Sequence, residues 1–401
     1  MKVVIIGGGV SGIFAAISAA KSNNEVTILE KTLDIGNKLK ITGKGRCNIT
    51  FDGDLEYFTN NIVVNNKFIY SSFNNFSNYD TLEFLNSLGI KTKLERGNRY
   101  FLQSDDASEL VHKLKSFLKK LNVNIIYNCD VLDIKVVDNC VYSILTKNKE
   151  YICDKCIVST GGMSYKKTGS DGSFFDIIKK LGHNIIDLKP ALVGLKADGD
   201  INLSGMNLKN VVVDLYNNDK KIYSDFGEML FSHFGVTGPT ILSLSSILTR
   251  EKINNPYILV DLKSSLSDEV LDKRICRDLL KYSNLDIKNG LKDLLLKNLI
   301  PVILDKCNID KSKKCNSITI EERKNLVYNI HKFKINILGF MPIDTAIITA
   351  GGVDTKQINP KTLESKLIHK LFFCGEVIDI DALTGGFNLQ IAISTGVAAG
   401  K

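Results

Sequence analysis

Gly7, Gly9 and Gly12 stand at the spacing G-x-G-x-x-G, directly after the apolar run 3–6 and before an alanine-rich stretch. That spacing suits a pyrophosphate. Gly7 permits a tight turn, Gly9 lets a phosphate approach the backbone, and Gly12 lets a helix lie close to a sheet. The N–H groups at the helix start, Ser11 among them, would face the phosphate oxygens. A second apolar run, 26–29, ends in Glu30, a carboxylate placed to accept hydrogen bonds from a ribose diol. The same charge would repel a 2′-phosphate, so an unphosphorylated adenosine ribose is expected. A glycine-rich turn alone occurs in many α/β proteins. Strand, turn, helix, strand and acid together make a dinucleotide-binding unit.

Three further stretches carry chemistry. GNKLKITGKGRCN at 36–48 alternates glycines with cations; its glycines admit a ligand close to the backbone, and Lys44 or Arg46 can neutralise phosphate. Ser159, Thr160, Gly161 and Gly162 follow a strand-like run, where a cofactor crosses the carboxyl ends of strands. FFCGE at 372–376, Asp379 and TGGFNLQ at 384–390 open a final helix rich in small residues. That helix can pack tightly, and its N-terminus carries about half a positive charge, which suits a reduced flavin, anionic at N1 and O2. Among acid–base candidates His233 stands out, in a Gly/Pro-rich loop between Phe231 and Gly235, because imidazoles exchange protons near neutral pH. Cys153 and Cys156 match C-x-x-C, but neither a helix start nor a second ligand pair accompanies them, so they read as structural and no metal is expected.

The elements that must position these residues are legible in outline. A chain of 401 residues, 44% hydrophobic, can bury a real core and suggests two or three domains. No run reaches membrane-spanning length, and no charged-then-apolar leader is visible, so a cytoplasmic location is expected. The net charge of +8 comes from scattered lysines without a dense basic block. That favours a soluble surface over nucleic acid as partner. The nine cysteines, without secreted-type spacing, are expected to be reduced thiols. A helical patch covers 79–88 in an otherwise polar region. Ser104 is expected to cap an amphipathic helix bearing Leu110, Val111, Leu114, Phe117, Leu118 and Leu121. Strand-like runs follow at 125–127, 131–137, 141–146 and 156–159, then a helix over 172–181 stopped by Gly182. The character changes near Pro190. Residues 191–264 read as β-rich, 265–332 as helical with a capping box at Thr319 and Glu322, and 333–341 as a return strand. A strand-turn-helix unit closes the chain. The expected architecture is α/β: a doubly wound Rossmann-type domain with a β-meander, in two parts (1–190 and 342–401), interrupted by a barrel-like insert and a helical subdomain.

GKGRCNIT, IVSTGGMSY, GEMLFSHFGVTGP, ITAGGVD and CGEVIDIDALTGGFNLQIAISTG together resemble the BaiN/RdsA-type flavoproteins. These are bacterial NAD(P)/FAD-dependent oxidoreductases of the glutathione-reductase-like superfamily. The resemblance spans nearly the whole chain, with the motifs in the same order. It implies FAD, with Gly7, Gly9, Ser11 and Gly12 at the pyrophosphate and Glu30 at the adenosine ribose, beside Lys31 and Val131. Lys38, Gly43, Gly45, Arg46, Cys47 and Asn48 would run towards the flavin. Thr160, Gly161 and Gly162 would lie by the adenosine half, and Glu376, Asp379, Gly386, Asn388 and Leu389 at the ribityl and pyrimidine end. Ser159 stands where alanine is usual and Phe387 where tyrosine is common; both departures are small and leave the expectation of FAD binding intact.

Cys47 has no near cysteine partner, so a disulfide reductase is rejected. A second G-x-G-x-x-G is missing, so NAD(P)H is expected to dock transiently. The expected reaction is hydride transfer to an activated C=C bond of a small, bile-acid-like substrate, with a protein acid supplying the other proton. The resemblance leaves open amine oxidation. A tRNA-binding or tRNA-modifying flavoprotein is the alternative of another class, and a flavin-binding regulator without turnover a third. Oligomeric state is not legible.

Overall fold

Five short apolar runs pair side by side into one parallel sheet. In the computed structural model, which describes residues 1–198 and 203–401, their order is Leu371–Phe373, Lys155–Val158, Lys2–Ile6 (β1), Glu25–Leu29 (β2), Asn124–Ile126. Ile5 is in register with Ile157 on one side and Ile28 on the other, and all three are fully buried. Near-continuous apolar strands are what a sheet covered on both faces requires. The helix after the glycine turn, α1 (Val10–Lys21), packs against the last helix, Phe387–Gly400. A Cβ at Gly396 or Gly400 would lie 2.4 Å from the carbonyl oxygen of Ser11 or Ala15. The small residues of the last helix therefore set that close approach.

The amphipathic helix runs Ala107–Lys120 and buries Leu110, Val111, Leu114 and Leu118. Its N-cap is Asp106, which accepts from Ser108 N–H at 2.8 Å, and not Ser104. Asp105 takes a left-handed turn (φ +54°) and binds Arg46 and Lys93, which delays the helix start. The polar region before it holds more structure than its composition suggested. It contains helices Leu55–Asn60, Tyr70–Asn75 and Asn78–Ser87 and a sheet of Asn48–Phe51, Arg99–Leu102 and Thr92–Glu95. Its core is aromatic: Phe51 lies 5.0 Å from Phe58, 6.2 Å from Phe73 and 4.9 Å from Phe387, centroid to centroid. Phenylalanines so far apart in sequence leave no local period to read.

The chain divides into two compact units, Met1–Ala191 with Pro342–Lys401, and Leu192–Met341. In the first, an antiparallel meander (Val131–Val137, Cys140–Thr146, Glu150–Ile152) flanks the parallel sheet's fold. Strand Ile185–Ala191 pairs with Ile348–Val353, with Ala191 opposite Ile348, so the chain leaves and re-enters this unit side by side. The second unit is a closed antiparallel barrel of six strands: Leu195–Ala197, Gly235–Thr237, Lys220–Ser232, Asn207–Asn217, Tyr257–Asp261 and Phe333–Phe340. It has its own core, with Val213, Leu215, Ile258, Val260, Phe333 and Ile335 buried. Its helices include Ile320–His331, opened by the Thr319–Glu322 capping box.

No helix among the described residues is long and apolar enough to cross a membrane. Among them, too, no group of three metal-ligating side chains forms. All nine cysteines are unpaired.

Candidate functional site

The glycine turn separates three roles that its sequence only suggested. Gly7 adopts φ +100°, and a Cβ there would lie 2.6 Å from the carbonyl oxygen of Ser159. At Gly12 a Cβ would lie 2.0 Å from the Gly7 carbonyl oxygen, so helix and turn are in contact. At Gly9 a Cβ would meet no atom within 4 Å. Gly9 is also the N-cap of α1, which has no side-chain cap and no acid in its first turn. The open backbone and the uncapped helix start are the arrangement a pyrophosphate needs. Ser11 is buried against Gly375, whose Cβ would sit 2.4 Å from Ser11 Oγ. The first and last motifs of the chain thus meet here.

Glu30 ends β2 and is buried. Its Oε2 accepts from Gly8 N–H at 2.7 Å, and its Oε1 from Thr32 N–H and the Thr32 hydroxyl at 2.8 and 2.7 Å. A carboxylate offers about four acceptor positions, so Glu30 braces the glycine turn and keeps capacity for a ribose hydroxyl. Around it lie the expected adenosine-side residues. Cys129 N–H donates to the Glu30 carbonyl at 2.9 Å, which brings the segment leading to Val131 alongside. Gly161, at φ +75°, would place a Cβ 2.8 Å from Ser170 Oγ, a buried hydroxyl without a partner among the described residues. Thr160 lies beside Gly161 in this turn. Lys31 is held by Asp171 at 2.6 Å. An open Gly9, an uncapped helix, spare acceptor capacity at Glu30 and the orphaned Ser170 hydroxyl against Gly161 fit the phosphates and adenosine of FAD.

The other end is built from segments far apart in sequence. Lys38 Nζ donates to Glu376 Oε2 at 2.6 Å and to Ser164 Oγ at 2.8 Å. Gly162 lies against Thr349, Oγ1 being 2.5 Å from where a Cβ would be. Asn48, in the amide orientation that satisfies both its ends, accepts from Gly386 N–H at 3.0 Å. Gly386, at φ +94°, starts the last helix without a side-chain cap, and its Cβ would meet the Thr50 carbonyl oxygen at 2.6 Å. Asn388 clamps the loop before that helix, accepting from Ala382 N–H at 2.9 Å and donating to its carbonyl at 2.7 Å. Asp379 is buried and receives Asn65 Nδ2 at 3.2 Å. Leu389 is partly buried against the core.

The Arg46 guanidinium pairs with Glu95 and, at 2.9 Å, with Asp105, and lies 4.4 Å from the Phe101 ring centre. These acids tie it to the small antiparallel sheet. Gly43 and Gly45 take left-handed backbones (φ +61° and +86°), as does Cys47 (φ +57°). Cys47 is fully buried, and burial pushes its thiol up to about 12. His233 is exposed in the second unit, its ring edge-on to Phe234 at 5.1 Å. Ser164 and Thr349 fall within IVSTGGMSY and ITAGGVD, but neither takes a role from sequence alone. They lie 185 positions apart and no spacing rule joins them.

The family described as HI0933-like protein Rossmann domain matches residues 1–401. A 3-dehydro-bile acid delta(4,6)-reductase of Clostridium scindens is 30% identical over 414 residues, covering 100% of this chain and 98% of that protein. A ribosomal RNA dihydrouridine synthase of Haemophilus influenzae is 28% identical, covering 98% and 96%. Among solved structures, the 3-ketosteroid-delta4-(5alpha)-dehydrogenase of Rhodococcus jostii RHA1 shares the fold. Its TM-score is 0.54 at 15% identity, covering 100% of this chain and 96% of that one.

Proposed function

The chain belongs to the HI0933-like family and is an FAD-dependent oxidoreductase; we propose that it draws electrons from NAD(P)H to saturate a C=C bond conjugated to a carbonyl, in a small steroid- or bile-acid-like substrate. The observation that carries this reading is the full-length, 30% identity to a bile-acid delta(4,6)-reductase. When bound, FAD supplies hydride chemistry between a nicotinamide and an electron-poor carbon. The chain's own residues bind and orient. Gly9 and the start of α1 hold the pyrophosphate, Glu30 the adenosine ribose, and the uncapped start of Phe387–Gly400 offers positive potential to the pyrimidine end.

Chemistry through protein thiols is disfavoured. Cys47 and Cys374 are fully buried, and burial pushes each thiol up to about 12, whereas a reactive thiol needs a lowered value and access. For the second proton we propose His233. The nine unpaired cysteines suit a reducing compartment, the cytoplasm.

The test is anaerobic titration of the purified yellow protein with NADH and then NADPH, followed by a conjugated 3-ketosteroid. Bleaching by a nicotinamide and recovery of colour with the enone is the expected result. Bleaching without recovery would defeat the substrate class, and no bleaching would defeat the nicotinamide donor. His233→Gln is expected to slow recovery at least about tenfold while leaving bleaching unchanged.

A second reading has its own support. The relative named for dihydrouridine in ribosomal RNA also covers nearly the whole chain, and this chain carries a net charge of +8. The uridine C5=C6 bond is likewise conjugated to a carbonyl, so the same reaction class would serve. That reading requires RNA to restore the colour, with an affinity that falls steeply with salt.

A further inference from the structure

We propose that the Thr349 hydroxyl is a positioning group for the cofactor cradle, fixing the turn at 161–164 and, through Ser164, Glu376 and Lys38. This rests on the FAD assignment and goes beyond the residues the motifs singled out.

Thr349 lies in strand Ile348–Val353, which the chain reaches only after the whole second unit, and it is 2% exposed. Its Oγ1 accepts from Met163 N–H at 2.7 Å and from Ser164 N–H at 3.1 Å. A hydroxyl oxygen has two lone pairs, and both are used. The two donors sit in the turn that follows strand Lys155–Val158 and lie outside the sheet ladder. Gly162, with no side chain, lets this turn lie flat on the hydroxyl. Thr349 N–H donates to Glu376 Oε1 at 2.8 Å, and Ser164 Oγ to the same oxygen at 3.2 Å. The other carboxylate oxygen, Oε2, receives Lys38 at 2.6 Å, and Lys38 also reaches Ser164 Oγ at 2.8 Å.

Four separate segments therefore converge on one carboxylate and one hydroxyl. Lys38 and Glu376 alone could pair in several geometries. Thr349 and Ser164 leave them one. A fixed, part-buried ammonium–carboxylate pair sets a local potential that a redox cofactor senses. Valine has the shape of threonine but no acceptor, and would strand two N–H groups. Serine keeps the acceptor and loses only a methyl.

The experiment compares wild type, Thr349→Val and Thr349→Ser by FAD affinity, flavin midpoint potential and apoprotein melting. Thr349→Val is expected to raise the FAD Kd at least about tenfold and to move the potential, while Thr349→Ser stays near wild type. Apoprotein melting should fall in Thr349→Val, by the two stranded N–H groups, and little in Thr349→Ser, so the flavin potential and the recovery in Thr349→Ser decide. Unchanged affinity and potential in Thr349→Val would overturn the proposal. So would equal losses in both variants with a matching fall in apoprotein melting, which is plain packing. Should Thr349→Val not fold, Ser164→Ala removes the hydroxyl that contacts both Lys38 and Glu376 and leaves their direct ion pair. It is expected to move the potential too, and an unmoved potential there overturns the proposal. A wild-type protein that holds no FAD would instead defeat the cofactor assignment.

Discussion

Gly9 and Gly12 lie three residues apart in one motif and should respond oppositely to the same added methyl. At Gly9 the backbone (φ −71°, ψ −179°) suits alanine, and a Cβ meets nothing within 4 Å. Gly9→Ala is therefore expected to leave apoprotein melting within about 2 °C of wild type while weakening FAD binding at least about tenfold, since the methyl occupies the phosphate's place. At Gly12 a Cβ would lie 2.0 Å from a backbone oxygen that cannot swing away. Gly12→Ala should cost about 2–4 kcal/mol in a urea titration. If both variants lose stability alike, the open space at Gly9 is not a ligand site. The motif's spacing suggested a phosphate cradle without saying which glycines the fold itself requires; the packing of α1 on the Ser159 turn shows that Gly7 and Gly12 are required and that Gly9 is open. Arg46 shows the limit of residue type. Its charge suggested phosphate without showing its protein partners, Glu95 and Asp105, which the antiparallel sheet brings close.

At the scale of elements, His183 marks a seam between helix Phe174–Lys180 and strand Ile185–Ala191. Its Nε2 lies 2.7 Å from Ser365 Oγ, and its ring stands edge-on to Phe373 at 5.0 Å. Burial lowers its pKa from 6.5 to about 4. The folded protein thus refuses a proton that the unfolded chain accepts. This contribution is fully present above pH 6.5 and is lost as the pH falls towards about 4. The loss should be on the order of 3 kcal/mol at most. Unfolding of wild type and His183→Gln at several pH values between 7 and 4 checks this, and the variant's stability should fall less steeply. Equal slopes would exclude the histidine as the source. Neither Ser365 nor the seam was visible in the sequence, because they join segments 182 positions apart.

At the scale of the molecule, the second unit begins and ends in one place. Met341 N–H donates to the Gly194 carbonyl at 3.0 Å, and on the other side Ala191 faces Ile348. A closed barrel has no free sheet edge and a core of its own, so it needs no outside partner to satisfy its backbone. Residues 203–341 are included in a fragment spanning 192–341, which is expected to melt cooperatively on its own and to hold no FAD. The remainder, 191 joined to 342 by a short linker, is expected to bind FAD. A fragment that aggregates or melts without cooperativity would mean that the two units fold only together.

The sequence by itself determined the strand-turn-helix-strand unit ending at Glu30, the parallel sheet and the order of the cofactor motifs. These depend on local patterns: an apolar run buried on both faces, glycines at fixed offsets, an acid at a strand end. It also carried the barrel and helical character of the middle of the chain. Tertiary structure alone decided the rest. It moved the cap of helix Ala107–Lys120 from Ser104 to Asp106, gathered Phe51, Phe58, Phe73 and Phe387 into one cluster, and joined Lys38, Ser164, Thr349 and Glu376. Each of these is a competition or a meeting between groups far apart along the chain. Periodicity and spacing describe only near neighbours, so such meetings exist only once the strands have been brought side by side.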